Sequence, residues 1–288
     1  MQKVLVAGST GYLGRYVVQE FKKRGYWVRA LARNPEKLKQ TGSFLEPAVN
    51  ADEIFIGEVT KPEALQGLCD NIEIVFSSIG ITRQKDKLTY REVDYHGNKN
   101  ILDIATRNNV KKFIYVSVFH AHLYEHLEIV KAHEDFVSDL QSSGLNNTII
   151  RPTGYFSDMS EFFKMAKSGW VFLIGNGKNR INPIHGADLA KVCVDAITRD
   201  DDEISVGGPV IYTGQEIAEL AFSTLGKAPR IIRVPLLLAQ AAVKLARPFN
   251  QQTADLIDFF VTAAQSDDIA PVVGEHTLAG YYQELASS

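Results

Sequence analysis

Residues 3–15 read KVLVAGSTGYLGR. The run from Lys3 to Ala7 is short and apolar, the pattern of a strand buried on both faces. Gly8, Gly11 and Gly14 follow at three-residue spacing. From Tyr12 to Lys23 the apolar positions Leu13, Val17, Val18 and Phe21 take up helical periodicity. A strand that turns tightly into a helix needs residues without side-chain bulk at the turn. Such a turn points free backbone N–H groups, and the positive end of the helix dipole, at whatever lies above it. The group that fits is a pyrophosphate, and the strand–glycine–helix context is that of a dinucleotide site.

The next strand, Trp27 to Ala32, ends at Arg33-Asn34-Pro35. Pockets selective for NAD carry an acidic residue about 20 positions after the glycines, on the ribose 2′-hydroxyl. That place holds Arg33 here, with Arg29 nearby. A guanidinium favours a 2′-phosphate by charge and by forked hydrogen bonds. The expected cofactor is therefore NADP(H) in preference to NAD(H).

Further strands are expected at 54–56, 72–77, 113–117 and 148–151. Helices are expected at 62–68, capped by Thr60, at 91–108, and at 125–142, closed by Gly144. Ser78-Ile79-Gly80 follows the fourth strand, where small residues let a ligand approach the backbone. Beyond Tyr155 the rhythm changes. A short helix at 161–167, a strand-like run at 170–174 and a turn at Gly175-Asn176-Gly177 come first. A helix at 187–198, a strand at 210–212 and a helix capped by Thr213 follow. The final segment reads as helical, with breaks at Pro235 and Pro248. The pattern predicts an α/β fold: a Rossmann-type, doubly wound parallel sheet over 1–155. Residues 156–288 are expected to form a small, mostly helical substrate-binding lobe, packed on the first domain and free to return one strand to its sheet.

A net charge of −3 gives no ground for a nucleic-acid partner. Cys69 and Cys193 lie in apolar, helix-like surroundings and read as reduced core thiols. The longest apolar stretch, Pro235 to Ala246, is broken by Gln240 and Lys244 and is too short to span a bilayer. No secretory signal pattern precedes the first strand. The expectation is a cytoplasmic protein with a small-molecule substrate and no membrane insertion, open to homodimer formation through the long helices of the sheet domain.

Several stretches together resemble the short-chain dehydrogenase/reductase superfamily, in its extended and atypical branches that include NmrA-like and epimerase-like proteins. They are AGSTGYLGRYVV at 7–18, GEVTKPEAL at 57–65, VDYHGNKNILDIA at 93–105, KFIYVS at 112–117, SGLNNTIIRPTGYF at 143–156 and INPIHGADLA at 181–190. The resemblance implies that Gly8, Ser9, Thr10, Gly11, Tyr12 and Leu13, with Gly14 closing the array, hold the pyrophosphate. It implies Arg33 at the 2′-phosphate, Glu58 and Val59 beside the adenine, and Ser78, Ile79 and Gly80 along the ribose. Ser117, Lys131, Pro152, Thr153, Gly154 and Tyr155 would approach the nicotinamide.

One departure bears on the chemistry. The family's catalytic pair is Tyr-x-x-x-Lys on the helix after the fifth strand. Lys131 is present, but Leu127 stands where the tyrosine belongs. Tyr124 lies seven residues before Lys131, which on a helix is ~10.5 Å along the axis against ~6 Å for a four-residue step. Lys131 then reads as a ribose ligand. His120 sits in the loop after the fifth strand, where active groups gather in such sheets. Histidine exchanges protons in the physiological range and can donate one to a substrate oxygen. Tyr155 can do the same or wall the pocket. His120, His122, His126 and His133 are dense in sequence, but no cysteine or carboxylate completes a ligand spacing, so no metal is expected. Asp188 and His185 read as fixing the loop that opens the helix at 187. The expected function is NADPH-dependent reduction of a small organic substrate, with His120, Tyr155 and Lys131 as the candidate catalytic residues. A non-enzymatic NADP(H) sensor of NmrA-like type is an alternative that the missing tyrosine motivates. A nucleotide-sugar epimerase is a further alternative, weakened by Leu127.

Overall fold

The computed structural model describes residues 1–81 and 88–288. The strands are β1 (Lys3–Ala7), β2 (Trp27–Ala32), β3 (Glu53–Ile56), β4 (Ile74–Ser77), β5 (Lys112–Val116), β6 (Asn147–Pro152), β7 (Val171–Ile174), β8 (Arg180–Ile181), β9 (Glu203–Val206), β10 (Tyr212–Thr213) and β11 (Ile231–Val234). The α-helices are α1 (Tyr12–Lys23), α2 (Asn98–Arg107), α3 (Glu128–Ser142), α4 (Phe156–Ser168), α5 (Gly186–Asp195), α6 (Gly214–Thr224), α7 (Leu236–Ala246), α8 (Gln251–Ala263) and α9 (Leu278–Ser287). Two compact units result. The first takes Met1–Val118, Glu128–Arg151 and Leu189–Ile204; the second takes Phe119–Leu127, Pro152–Asp188 and Ser205–Ser288.

The first unit is built on a sheet of order β3-β2-β1-β4-β5-β6-β9. All pairs from β3 to β6 are parallel. The bonds Ile149 N–H to Asp202 O and Thr153 N–H to Val206 O advance together, so β9 runs parallel to β6. This is the α/β, Rossmann-type order that the sequence predicts. Leu5, Val75, Phe113, Tyr115 and Ile149 face one way and join a core with Ile101, Leu102, Phe136 and Leu140 of α2 and α3. Val4, Val6, Phe76, Ile114 and Ile150 alternate to the other face and are equally buried. α1 buries Val17 and Phe21, each contributing about 1.5–3 kcal/mol. The strand order reverses between β1 and β4, whose carboxyl ends meet where Ser78 N–H donates to Ala7 O at 3.1 Å. Ligands of open parallel sheets bind at such a point.

Several local expectations give way. Residues 62–68 form only a 3₁₀ turn at Pro62–Leu65, with Lys61 at the cap position rather than Thr60. Gly67, at φ +79°, ends it after one turn. The expected helix at 91–108 is π-helical over Arg91–Gly97 before α2 begins. The expected helix at 125–142 starts only at Glu128. His120 takes a left-handed φ of +49°, a 3₁₀ turn occupies Ala121–Leu123, and Tyr124 and Leu127 lie outside α3. Cys69 and Cys193 are buried free thiols, and burial pushes the Cys69 thiol up to about 12.

In the second unit, β7 pairs in parallel with β11, and β8 pairs antiparallel with β10. α4 is longer than expected because Tyr155 serves as its cap residue and Asp158 Oδ2 accepts the Tyr155 N–H at 3.2 Å. Thr213 caps α6 as predicted, its hydroxyl accepting from Glu216 N–H while the Glu216 carboxylate reaches back. The chain's last third is not all helix. β11 precedes Pro235, and residues 264–277 run irregularly, with bridges at Asp268 and Val272. Among the described residues no helix is long and apolar enough to cross a membrane.

Candidate functional site

The glycine turn has the geometry its spacing demands. Gly8 takes φ +88°, and its N-terminal neighbour Ala7 is the last residue of β1. Gly11 caps α1 with extended backbone and offers no side-chain cap. A Cβ on Gly14 would lie 2.6 Å from the Gly8 carbonyl carbon and 3.0 Å from Ser9 Cα, so helix and turn can touch only through glycine. The turn is thus a backbone cradle at a helix N-terminus, and its shape fits a pyrophosphate. The Ser9 hydroxyl is buried and donates to Leu31 O at 2.7 Å, so Ser9 faces a ligand through its backbone. Thr10 O accepts from Arg15 Nε at 3.2 Å, the Tyr12 ring packs edge-on against Tyr16 and Phe44, and Leu13 is buried in α1.

Arg33 stands exposed just past β2, its guanidinium 3.4 Å from Glu58. Arg29 serves the fold instead, donating to Glu53 and to the carbonyls of Gly67 and Leu68. Arg15, which the sequence did not single out, is buried. It donates to the carbonyls of Thr10, Lys37, Gln40 and Pro47, fastening the loop that follows Arg33 to α1. Val59 is buried, and its carbonyl accepts from Asn100 at 2.9 Å.

Ser78, Ile79 and Gly80 are braced by Asn98, which accepts from Ser77 Oγ at 2.5 Å and donates to Ile79 O at 3.1 Å. Asp94 is fully buried beside them. Its carboxylate accepts from Ile81 N–H and lies 3.2 Å from His133 Nε2, while His133 Nδ1 meets the Tyr115 hydroxyl at 2.5 Å. Burial pushes the Asp94 pKa up, and the hydrogen bonds from His133 and Ile81 offset only part of that. Ser117 donates to Glu134 at 2.6 Å, and Glu134 takes a two-pronged bond from Arg151 at 2.7 and 2.8 Å. Lys131 is exposed in the first turn of α3.

In the second unit, Pro152 is buried, the Thr153 N–H donates to Val206 O, and Gly154 O accepts from Ile184 N–H at 2.8 Å, leaving Tyr155 half-buried. His120 and Tyr124 converge on Asp268. Nδ1 of His120 is 3.2 Å from Oδ1, and the Tyr124 hydroxyl donates to Oδ2 at 2.9 Å. Asp268 is 6% exposed, whereas the His120 side chain is 35% exposed and stacks on Phe119 at 3.8 Å. Burial raises the Asp268 pKa against the pull of its two hydrogen bonds. Burial, and then Asp268, also push the Tyr124 phenol upward, and its ring stacks on Phe259. Leu127 is fully buried. His122 lies edge-on to His120, His126 Nε2 is 3.9 Å from Asp258, and His133 belongs to the first unit, beside Asp94. Among the described residues no three His, Cys, Asp or Glu side chains are placed to hold a metal. Asp188 accepts from the N–H groups of Glu275 and His276, and the rings of His185 and His276 stack at 4.4 Å. Sequence reasoning missed Arg15, Asp94, Glu134 and Asp268. Asp268 left no signal, because the segment carrying it read as helix.

A family model described as NAD(P)H-binding matches residues 8–200. The chain belongs to that family. Membership agrees with the short-chain dehydrogenase/reductase resemblance drawn from the sequence. Divinyl chlorophyllide a 8-vinyl-reductase of Arabidopsis thaliana is 28% identical over 251 residues, covering 81% of this chain but only 60% of that protein's length. Photosystem II assembly factor Ycf39 of Synechocystis sp. is 26% identical over 303 residues, covering 98% of this chain and 90% of that protein. Triphenylmethane reductase of Citrobacter sp., in a crystal structure complexed with NADP(H), superposes with a TM-score of 0.74 at 18% identity, covering 98% of this chain and 99% of that one. That structural likeness is one of fold.

Proposed function

We propose that this NAD(P)H-binding protein is an NADPH-dependent reductase of a small conjugated organic acceptor, with His120 as its proton donor. The observation that carries the reading is the pairing of a part-exposed His120 with a buried Asp268, where the usual tyrosine is replaced by a buried leucine. The glycine turn and Arg33 would hold the cofactor's phosphates, and Lys131 its ribose. A bound NADPH supplies a hydride. Asp268 holds Nδ1 of His120, which fixes the ring and leaves Nε2 as the exchanging position. A conjugated alkene such as a vinyl group would take the hydride at one carbon while its π pair shifts to the other, which would take the proton from His120 Nε2, so no phenol is needed to polarise a carbonyl. The name of the vinyl reductase is in keeping with an acceptor of that class.

The test is NADPH consumption over a panel of enones, quinones and vinyl-substituted aromatics. His120→Ala should lower kcat by about 10²-fold or more, Asp268→Asn should lower it with little change in KM, and Tyr155→Phe should leave it nearly intact. An unchanged kcat in His120→Ala refutes the assignment. The sensor reading keeps one supporting observation: the similarity to the assembly factor extends over almost the whole of both chains. Tight NADPH binding with no turnover on the whole panel would favour it.

A further inference from the structure

The first unit exposes few large apolar side chains, but the second carries a concentration of them. On α7, Leu237 is 79% exposed, Leu238 63% and Leu245 72%, and Phe249 just beyond it is 91% exposed. At about 100° per residue, Leu237, Ala241, Leu245 and Leu238 fall within an arc of about 100°. Ala239 and Val243, on the opposite side, are buried against Ala254 and Val261 of α8. The exposed arc is therefore a second apolar face on a helix that has already buried its first.

The patch continues onto the β7/β11 ribbon. Phe172 and Ile232 are register partners, and both are substantially exposed. Two residues on, Ile174 and Val234 occupy the same ribbon face and pack against the α7/α8 cluster. The exposed pair thus sits one row from the helices, on the face that seats them. Trp170 ends this row with Arg230 over its ring at 5.5 Å.

Charge selects the occupant. Residues 220–254 hold Lys227, Arg230, Arg233, Lys244 and Arg247, with no Asp or Glu, in a chain whose net charge is −3. Lys227 turns to the carbonyls of Ala166 and Lys167 and Arg233 to Gln215 on the other ribbon face, while Arg230 and Lys244 border the patch. Arg247 is paired with Asp255 and Asp258 of α8, while Lys244 is exposed at the border of the apolar arc. A twofold contact between two copies would set like charges against each other, because each copy presents the same patch. An anionic bilayer meets both features: its acyl boundary takes leucine and phenylalanine, its headgroups take lysine and arginine, and tryptophan favours the interface between them. We infer that α7, Phe249 and the outer row of the β7/β11 ribbon form a docking surface for an anionic lipid membrane, bound peripherally and without a spanning segment.

The test is flotation of the full chain with vesicles of phosphatidylcholine alone and of phosphatidylcholine mixed with phosphatidylglycerol. Binding is expected to the mixed vesicles, to fall with added salt, and to weaken at least ~10-fold in the variant Leu237→Ser/Leu245→Ser/Phe249→Ser. These side chains lie outside the core, so far-UV circular dichroism and NADPH affinity of the variant should match the parent. No binding to mixed vesicles, or equal binding by the variant, overturns the inference. So does concentration-dependent dimerisation that the same substitutions abolish in the absence of lipid binding, since the patch would then cover itself.

Discussion

Replacing Gly14 with alanine puts the glycine turn to a quantitative test. The added Cβ would lie 2.6 Å from the Gly8 carbonyl carbon. Carbon atoms rest at about 3.5–4.0 Å, so the turn or the helix must yield by about 1 Å. Both obstructions are backbone, with no rotatable side chain to move aside. Overpacking of this kind costs about 1–3 kcal/mol and occasionally more, and the upper end applies here. Alanine's better helix propensity returns less than about 1 kcal/mol in a first turn. The net loss is about 2 kcal/mol, or a fall of ~3 °C in Tm for a chain of this size. Gly11→Ala supplies the contrast. Its φ is −82°, and its Cβ would meet Gly8 O at 3.3 Å, a tight contact that a shift of a few tenths of an ångström relieves, so stability should stay within about 1 kcal/mol. The methyl group would nonetheless stand over the helix N-terminus and should weaken NADPH at least ~10-fold, or ~1.4 kcal/mol. Thermal unfolding and fluorescence titration with NADPH read the two effects separately. A Gly14→Ala protein of parental stability, or a Gly11→Ala protein of parental NADPH affinity, refutes the reasoning.

Three further outcomes are expected. Arg33→Ala should weaken NADPH by about 5- to 10-fold, the worth of a charged hydrogen bond discounted for solvent exposure, and leave NADH affinity unchanged. Glu58→Gln, which removes the carboxylate beside Arg33, should tighten NADPH; equal effects on both cofactors in calorimetry would remove Arg33 from the 2′-phosphate. The Asp268 carboxyl, raised mainly by burial, stabilises the fold most fully below the ordinary carboxylate pKa and loses that contribution as pH rises through its raised value. Asp268→Asn should therefore lose most relative to the parent in acid, the gap narrowing as pH rises. Urea unfolding across the acid-to-neutral range measures that slope, and a pH-independent gap contradicts it.

Local rules were enough wherever one segment fixes its own geometry. The run from Lys3 to Lys23 declares a strand, a glycine turn and a helix, because a short continuous apolar run, missing side chains and a 3.6-residue period are all written along the chain. Repetition of that unit gave the parallel sheet, and Thr213 marked a helix start, since a cap needs only a hydroxyl at the first turn; the structure adds Glu216 as its reciprocal partner. The departure at Leu127 was equally plain, being a matter of residue type. Tertiary structure decided what depends on partners distant in sequence. The final segment could not be parsed because β11 exists only by pairing with β7, some 60 residues earlier. Arg29 and Arg33 lie four apart and on the same side by alternation, yet Glu53 and the carbonyls of Gly67 and Leu68 draw Arg29 into the fold, while Arg33, just past the end of β2, stands exposed. His120 was visible as a residue in the right loop, but its partner Asp268 lies 148 positions away. A strand's period or a helix's cap is encoded by neighbours a few bonds apart; a carboxylate meets a distant imidazole only after the backbone between them has taken its path.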